Sequence, residues 1–360
     1  MSNKHGQVEK VDKIPAAEKE IMRTAIKAAQ RHGLAIELIE KSPQTTLHQD
    51  NAVARVRQGE QETLYLVECK RNMRAATLGI TLHQMDRLGQ PAILITDYVA
   101  PDLADELKER GVSFLDAAGN AYIKQANLLI WIKGQKPAAK ATVITAGRAF
   151  QPTGLQVVFT LLCNPQAVNM PYRELAKMAG VAHGTVGWVI PDLQQLGFVR
   201  DLQGKRGTRR LFERERLLNQ WTDAYARVLR PRTLIGQYYV PGFEGWKNWP
   251  LAEYGALWGG EPAAAMLTEY LRPGELTLYA EKMPGLLAAR QKFMKEAGPG
   301  HTAAVEVRKR FWNFPGDPEH INMVPPLLVY ADLLATGDAR CIETAKMIYD
   351  LYLIRLFTEE

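Results

Sequence analysis

One stretch, residues 171–213, limits the fold of this chain more than any other part. It reads PYRELAKMAGVAHGTVGWVIPDLQQLGFVRDLQGKRGTRRLFE. Pro171 opens a short helix and Gly180 ends it. The next segment carries apolar residues at the three-and-four spacing of one buried helix face, namely Val186, Val189, Ile190, Leu193 and Leu196. Gly197 ends this second helix, and two short strands then flank a glycine-containing turn. The order helix, tight turn, helix and basic hairpin predicts a winged helix-turn-helix.

The charge of this region points to a polyanionic partner. Between Arg200 and Arg232 there are ten Lys and Arg residues against four Asp and Glu. A winged helix lays its second helix in the major groove and rests its hairpin on phosphates. The predicted DNA contacts are the outward positions of that helix and the basic hairpin, namely His183, Thr185, Trp188, Lys205, Arg206, Arg209 and Arg210. Helix-turn-helix units also occur in proteins that bind only protein, so an interaction module is the plainer alternative.

Two features weaken the prediction of base recognition. Ala182 occupies the cap position where Ser or Thr is usual, and Pro191 falls inside the helix. The outward face also lacks Arg, Asn and Gln near its start, which are the usual readers of base edges. We therefore expect the affinity for DNA to depend on the hairpin and its phosphate contacts.

Composition sets the broader class. With 360 residues and a hydrophobic share of 46%, the chain is long enough for several cores. Cys69, Cys163 and Cys341 lack the spacing of a zinc or redox motif, which predicts a reducing compartment. No apolar run is long enough for a membrane span, and the N-terminus has no signal-peptide core. The expected location is the cytoplasm, with no membrane partner.

The periodicity along the chain predicts an α+β multidomain protein. Residues 1–14 form a loose tail, and 15–135 follow the order α-β-β-β-α-β-α-β-β of a mixed sheet flanked by helices. Residues 136–150 are a linker, 151–230 are the winged helix-turn-helix, and 231–360 are a C-terminal α+β domain. The first part of the N-terminal order, α-β-β-β-α-β, is that of the restriction-endonuclease-like fold.

A possible metal site lies in that N-terminal domain. Glu68 and Lys70 are two apart at the end of a predicted strand and share a face. Together with a second acid they would form the Asp…Glu-x-Lys constellation of Mg²⁺-dependent nucleases. A strand register with an even residue sum would bring Asp50 onto their face, which makes Asp50 and Glu68 the candidate metal ligands. The alternative is a surface salt bridge worth under about 1 kcal/mol.

A second unusual turn carries two polar side chains. Asp116 and Asn120 flank Ala-Ala-Gly in the sequence GVSFLDAAGNAYI. The favoured interpretation is a hairpin turn in which both side chains bond their own backbone.

Three segments resemble the AbiEi family of abortive-infection antitoxins from type IV toxin–antitoxin systems. They are GVSFLDAAGNAYI, GEPAAAMLTEYLRPGELTLY and PPLLVYADLLATGDARCIETA, the last with Asp332, Asp338, Arg340 and Glu343. The resemblance implies a transcriptional autoregulator whose winged helix binds its promoter and whose C-terminal domain counters a nucleotidyltransferase-like toxin. It also implies that Asp332 and Arg340 cap and bridge helices.

The sequence thus supports two hypotheses of different classes. The first is a DNA-binding regulator and antitoxin, with double-stranded DNA, a nucleotidyltransferase-like toxin and a second copy of the chain as expected partners. The alternative is a nuclease targeted to DNA by the winged helix, with Asp50, Glu68 and Lys70 as its catalytic residues. Only this alternative implies a cofactor, which is Mg²⁺.

Overall fold

The structure, a computed structural model, describes residues 16–39, 52–88, 91–137, 147–202, 208–298, 303–316 and 320–358. The chain divides into two compact units, Met1–Ala75 with Thr81–Val143 and Ala76–Ile80 with Ile144–Glu360. The boundary at Val143 falls inside the predicted linker. The predicted winged helix and C-terminal domain belong to the same unit, and their division at residue 230 stays a prediction. The predicted tail lies outside the described residues.

Three helices and seven strands form the described chain up to residue 137. They are α1 (Ala16–Arg31), β1 (Ala35–Ile39), β2 (Val53–Gln58), β3 (Gln61–Lys70), α2 (Ala75–Leu88), β4 (Ala92–Thr96), α3 (Pro101–Glu109), β5 (Phe114–Asp116), β6 (Ala121–Gln125) and β7 (Leu128–Ile132). The seven strands lie in sequence order in one sheet. The β3–β4 and β4–β5 pairs are parallel and the others are antiparallel, so the predicted mixed sheet is confirmed, with one strand more than the predicted order.

The register between β2 and β3 contradicts the expected one. Val53 pairs with Leu66 and Ala54 with Tyr65, so the residue sums are odd, not even. Tyr65 and Val67 are the core-facing residues of β3, whereas Leu64 is 40% exposed. An even residue sum would bury Leu64 and Leu66, and a slip of one residue exchanges the two faces of a strand. The observed register therefore gives no reason to expect Asp50 on the face of Glu68 and Lys70.

The turn after β5 has the predicted structural role. The Asp116 carboxylate accepts the backbone N–H groups of Val99, Gly119 and Asn120 at 2.8–2.9 Å and the Asn120 amide at 2.7 Å. Burial raises the pKa of Asp116, while the hydrogen bonds from Asn120 and the backbone oppose that rise. The Asn120 side chain also bonds the backbone of Gln135. Asp116 and Asn120 thus close the turn, and their side-chain polar atoms are engaged in hydrogen bonds there.

The described chain from residue 147 forms ten helices and six strands. They are α4 (Pro152–Cys163), α5 (Tyr172–Ala179), α6 (His183–Gln195), β8 (Val199–Asp201), β9 (Arg209–Leu211), α7 (Arg214–Ala224), α8 (Arg230–Thr233), β10 (Leu234–Val240), β11 (Leu257–Gly259), α9 (Gly260–Thr268), β12 (Glu275–Ala280), α10 (Gly285–Arg290), β13 (Ala303–Lys309), α11 (Pro326–Thr336), α12 (Ala339–Ile348) and α13 (Arg355–Thr358). A π-helical turn, Tyr225–Leu229, joins α7 to α8.

A four-stranded sheet in the order β10-β13-β12-β11 organises the C-terminal part. The sequence pattern does not predict β10 and β11, since both lie among closely spaced aromatic residues with no clear alternation. An aromatic column joins this sheet to the helices before it. Trp221 stacks between Phe159 of α4 and Tyr225, with ring centroids 5.3 and 4.9 Å away. Phe159 also contacts Trp312, just after β13, at 5.5 Å.

Candidate nucleic-acid interface

The turn between α5 and α6 is set by Gly180. Its φ of +67° is the left-handed conformation that glycine adopts without steric cost, and its N–H donates to carbonyl groups of the last turn of α5. Asn313, which follows β13, also caps this end. Its backbone N–H donates to the Met178 carbonyl at 2.8 Å and its amide to the Lys177 carbonyl at 3.0 Å. The end of α5 is thereby fixed to the segment that follows β13.

Helix α6 buries the predicted stripe, with Val186, Val189 and Leu193 fully inaccessible. Leu196 departs from the prediction, since it lies at the helix end and is 37% exposed. The outward placement predicted for Thr185 is wrong, because its side chain is 8% exposed and faces the core. Thr185 lies about 100° around the helix from Val186, at the border of the buried stripe, so the sequence pattern alone does not decide whether it is buried.

We call the exposed side of this helix the α6 face; it comprises His183, Gly184, Gly187, Trp188 and Pro191. As expected from the sequence, Ala182 makes no side-chain cap and Pro191 lies inside the helix. His183 is exposed and Trp188 is half-buried, so these two predicted contact residues do lie on the outward side. The α6 face carries no Lys or Arg of its own.

The β8–β9 ribbon places its arginines in two different environments. Arg209 is anchored: its guanidinium lies 5.2 Å from the Tyr172 ring centroid and donates to the Tyr172 hydroxyl at 3.2 Å. Its backbone N–H and carbonyl also pair with the Asn169 side chain. Arg210 is exposed, and the described residues offer it no hydrogen-bond or ion-pair partner. Lys205 and Arg206, predicted at the tip of the hairpin, lie outside the described residues.

A further arginine, Arg200, completes this surface and was not singled out from the sequence. Arg200 and Arg210 are directly opposite each other in the antiparallel register, and both are exposed. The Arg200 guanidinium lies 4.8 Å from the Phe212 ring centroid. We call this Arg200–Arg210 pair the arginine pair. The sequence spacing could have indicated this pairing, because Arg200 and Arg210 are equally distant from the centre of the predicted hairpin turn.

A buried polar network lies in the same unit. The Asp332 carboxylate of α11 accepts the Tyr225 hydroxyl at 2.7 Å, the Tyr279 hydroxyl at 2.8 Å and the Arg230 guanidinium at 3.2 Å. Asp332 is 1% exposed and both tyrosines are fully buried. The predicted bridging role of Asp332 thus has a structural basis. The cap of α12 is Asp338, which accepts the N–H groups of Arg340 and Cys341.

The network continues onto the sheet through Glu306 of β13. Its carboxylate accepts the Arg308 guanidinium at 2.5 Å and the Gln237 amide at 3.0 Å. Burial would raise the pKa of Glu306, but Arg308 and Arg230 hold it below its usual value. Burial raises the pKa of Tyr225 and Tyr279 well above the usual value, and the Asp332 charge adds to that rise. At neutral pH the tyrosines therefore act as neutral hydrogen-bond donors.

Glu275, at the start of β12, gives this region a pH dependence. Burial raises the pKa of Glu275 to about 7, and the nearby Glu306 carboxylate adds to the rise, while Arg230 and Arg308 oppose it. The charge of Glu261 also raises the pKa of Glu275. The folded state therefore binds this proton more tightly than the unfolded chain does. The resulting stability is present below about pH 4.5 and is lost as the pH rises through about 7.

Replacing Glu275 with glutamine is expected to stabilise the protein at pH 8 and to change little at pH 5. The expected gain is roughly 1–2 kcal/mol, because solvent screens this partly exposed carboxyl. Thermal melts of both forms at pH 5, 6, 7 and 8 measure the effect. Glu281→Gln is the control, since Glu281 follows β12 and is exposed. A constant difference across this pH range would contradict the assignment to Glu275.

The candidate nuclease residues are only partly described. Lys70 Nζ lies 3.0 Å from Glu68 Oε1 at the end of β3, and both side chains are largely buried. Asp50 lies outside the described residues. Across the ranges that the structure describes, no group of three or more His, Cys, Asp or Glu side chains is placed to hold a metal ion. Glu68 is thus the one predicted metal ligand that the structure describes, and it pairs with Lys70.

The second unit is a mixed α+β structure. Its candidate interface consists of the β8–β9 ribbon with its exposed arginines and the helix pair α5–α6. Within this unit, residues 210–354, about two-fifths of the chain, match a family model described as "Transcriptional regulator, AbiEi antitoxin, Type IV TA system". The match begins in β9 and includes the Asp332 network, whereas α5 and α6 precede it. The predicted resemblance is confirmed for this part of the chain.

Comparison with curated proteins found no match, and comparison with solved structures also found none. In the part of the chain that the structure describes, no helix combines the length and apolar character that a bilayer span requires.

Proposed function

We propose that this protein is a DNA-binding transcriptional regulator whose α4–α6 helices and β8–β9 ribbon form a winged helix that binds double-stranded DNA. The arginine pair carries the proposal. Like charges directly opposite each other in an antiparallel pair are destabilising, and no described carboxylate lies within ion-pair distance of either guanidinium. DNA phosphates would supply the missing negative charge. The match of residues 210–354 to a family of transcriptional regulators supports the same function.

The ribbon is suited to phosphates more than to bases. Arg209 is held against Tyr172 and fixes the ribbon to α5, which leaves Arg200 and Arg210 as the exposed cations of the described strands. Each phosphate that a protein neutralises adds roughly 0.9 to the slope of log affinity against log salt. Removal of the arginine pair is therefore expected to make the slope of log affinity against log salt less steep.

Replacing both members of the arginine pair with alanine is expected to lower affinity for DNA about 10-fold or more at moderate salt and to reduce the salt slope by about 2. Fluorescence anisotropy on the DNA upstream of the protein's own gene, at several salt concentrations, measures both. Arg272→Ala with Lys282→Ala is the matched control, since it removes the same charge from other exposed positions. Equal binding by the arginine-pair variant and the wild type would exclude the ribbon as a DNA-binding surface and favour a protein-interaction module.

We further propose that the regulator is an antitoxin that represses its own promoter and counters a nucleotidyltransferase-like toxin. The family description of residues 210–354 supports the antitoxin role. Coexpression with the product of the neighbouring reading frame tests it. Restored growth is expected with the wild type and also with the arginine-pair variant, because the matched region lies mostly outside the helix-turn-helix. Growth arrest that persists with the wild-type chain would contradict the antitoxin role.

A Mg²⁺-dependent nuclease in the first unit is the alternative. The Glu68–Lys70 ion pair at the end of β3, within a mixed sheet of seven strands, is the observation that favours it. Plasmid nicking with Mg²⁺ or Mn²⁺, lost in Glu68→Gln and kept in Glu62→Gln, would establish this activity. Intact plasmid after incubation with the wild type would exclude it.

A further inference from the structure

The α6 face lacks a cationic side chain, but two glycine residues leave its backbone open to close contact with a partner. Gly184 and Gly187 are exposed, and a Cβ atom at either position would have nothing within 4 Å. A partner can therefore come nearer to this backbone than to an ordinary helix. Bidentate arginine contacts to guanine are the commonest specific contacts in the major groove, yet α6 itself offers none.

A short segment before α4 lies against the flank of this helix. It is a 3₁₀ turn, Arg148–Phe150, whose Ala149 N–H donates to the Asp192 carboxylate of α6 at 2.7 Å. Gly147 lies so close to the same carboxylate that a Cβ there would be 2.6 Å from an Asp192 oxygen. Ala149 and Phe150 are buried and anchor the turn. The turn is thus fixed to α6 although it precedes that helix by more than thirty residues.

The turn presents an arginine beside the α6 face. The Arg148 guanidinium lies 5.8 Å from the centroid of the Trp188 ring, within the range of a cation–π contact. Arg148 is exposed, and the described residues include no carboxylate in ion-pair distance of it. Contact with an aromatic face leaves the N–H donors at the edge of the planar guanidinium able to bond another group.

Gly154 of α4 makes this position possible. A Cβ on Gly154 would overlap the backbone carbonyl oxygen of Arg148, so any larger residue would displace the turn. The Asp192 hydrogen bond, the Trp188 ring and the space left by Gly154 together define where Arg148 lies.

We propose that Arg148 is a base-reading residue of the DNA interface, presented beside α6 by the 3₁₀ turn and held there by Trp188. This inference rests on the proposed DNA-binding function. It assigns sequence specificity to an arginine outside the helix-turn-helix, while the arginine pair supplies phosphate contacts. The ligand is a guanine edge in the major groove beside the α6 face.

The test compares Arg148→Ala and Arg148→Lys with the wild type on two DNA duplexes, the upstream site and a scrambled sequence of the same length. Both variants are expected to lose about 10- to 100-fold in affinity for the upstream site. Arg148→Lys is expected to stay within about 3-fold of the wild type on scrambled DNA, since it keeps the charge but not the bidentate geometry. Thermal melts establish that each variant is folded.

Gly154→Ala provides a second variant that keeps Arg148 itself. We expect it to reproduce the loss of preference for the upstream site, because the turn must move. Wild-type affinity of Arg148→Ala for the upstream site, or full restoration by Arg148→Lys, would overturn the proposal. If the wild type binds neither duplex, the proposed DNA-binding function fails instead. If the arginine-pair variant binds more weakly while both Arg148 variants keep the wild-type preference, only the base-reading role fails.

Discussion

Replacing Asp332 with alanine is expected to lower the free energy of unfolding by about 3–5 kcal/mol. The change leaves the hydroxyl groups of Tyr225 and Tyr279 without their buried acceptor, and it removes the carboxylate that faces Arg230. An unpaired buried donor costs about 1–3 kcal/mol, more for a charged one, so several such losses together produce the large effect. Urea unfolding followed by circular dichroism measures the change.

Asp338→Ala is the matched control for this prediction. Asp338 is also a carboxylate that accepts hydrogen bonds in the family-matched region, but it is exposed and caps a helix. Loss of such a cap typically costs about 1 kcal/mol. Equal losses in the two variants would show that the Asp332 network does not hold α11 to the tyrosines.

Trp221→Ala is expected to destabilise the same unit by about 3–5 kcal/mol, because it opens a large cavity in a fully buried aromatic column. The indole stacks between Phe159 and Tyr225, and its N–H donates to the Leu155 carbonyl at 2.9 Å. The column joins α4 to the C-terminal sheet, so we also expect weaker DNA binding at temperatures where the wild type is still folded. Thermal melts and anisotropy on the same samples compare the two effects.

Trp221→Phe separates the cavity from the stacking. Phenylalanine keeps an aromatic ring in the column but loses the indole N–H and some volume, so an intermediate loss is expected. A stability equal to the wild type in Trp221→Ala would mean that the column does not connect these elements.

Helix patterning was the most predictable part of this fold. The stripe Val186, Val189, Ile190 and Leu193 is buried as predicted, because a period of 3.6 residues leaves little choice of face. Thr185 shows the limit of such reasoning, since it lies at the border of the stripe and its burial depends on tertiary packing.

Strand faces were harder to predict than helices. In β3, the side chains of residues 64–67 are all apolar, so burial of either face was consistent with the sequence. The observed register buries Tyr65 and Val67, and this choice depends on contacts with α1 and β4 that the local sequence does not encode. The predicted metal site depended on burial of the opposite face of β3, so the observed register removes the reason to place Asp50 beside Glu68.

The polar side chains of the candidate site could not be grouped from the sequence, because residues distant in the chain become neighbours only in the fold. Arg148 precedes α6 by more than thirty residues, and Arg200 and Arg210 become neighbours only once the ribbon register is known. Local spacing predicted a helix face poor in base-reading residues, which is correct for α6 itself. The arginine beside that face comes from packing between segments distant in sequence.

A footprint of the full chain on the DNA upstream of its own gene is the most direct test of the proposed DNA-binding function. We expect one protected site, retained by the Arg272→Ala and Lys282→Ala control and lost, at the same protein concentration, by the arginine-pair variant. Circular dichroism of each protein confirms that it is folded. A footprint that survives unchanged in the arginine-pair variant, or the absence of any protected site with the wild type, would contradict DNA binding through the β8–β9 ribbon.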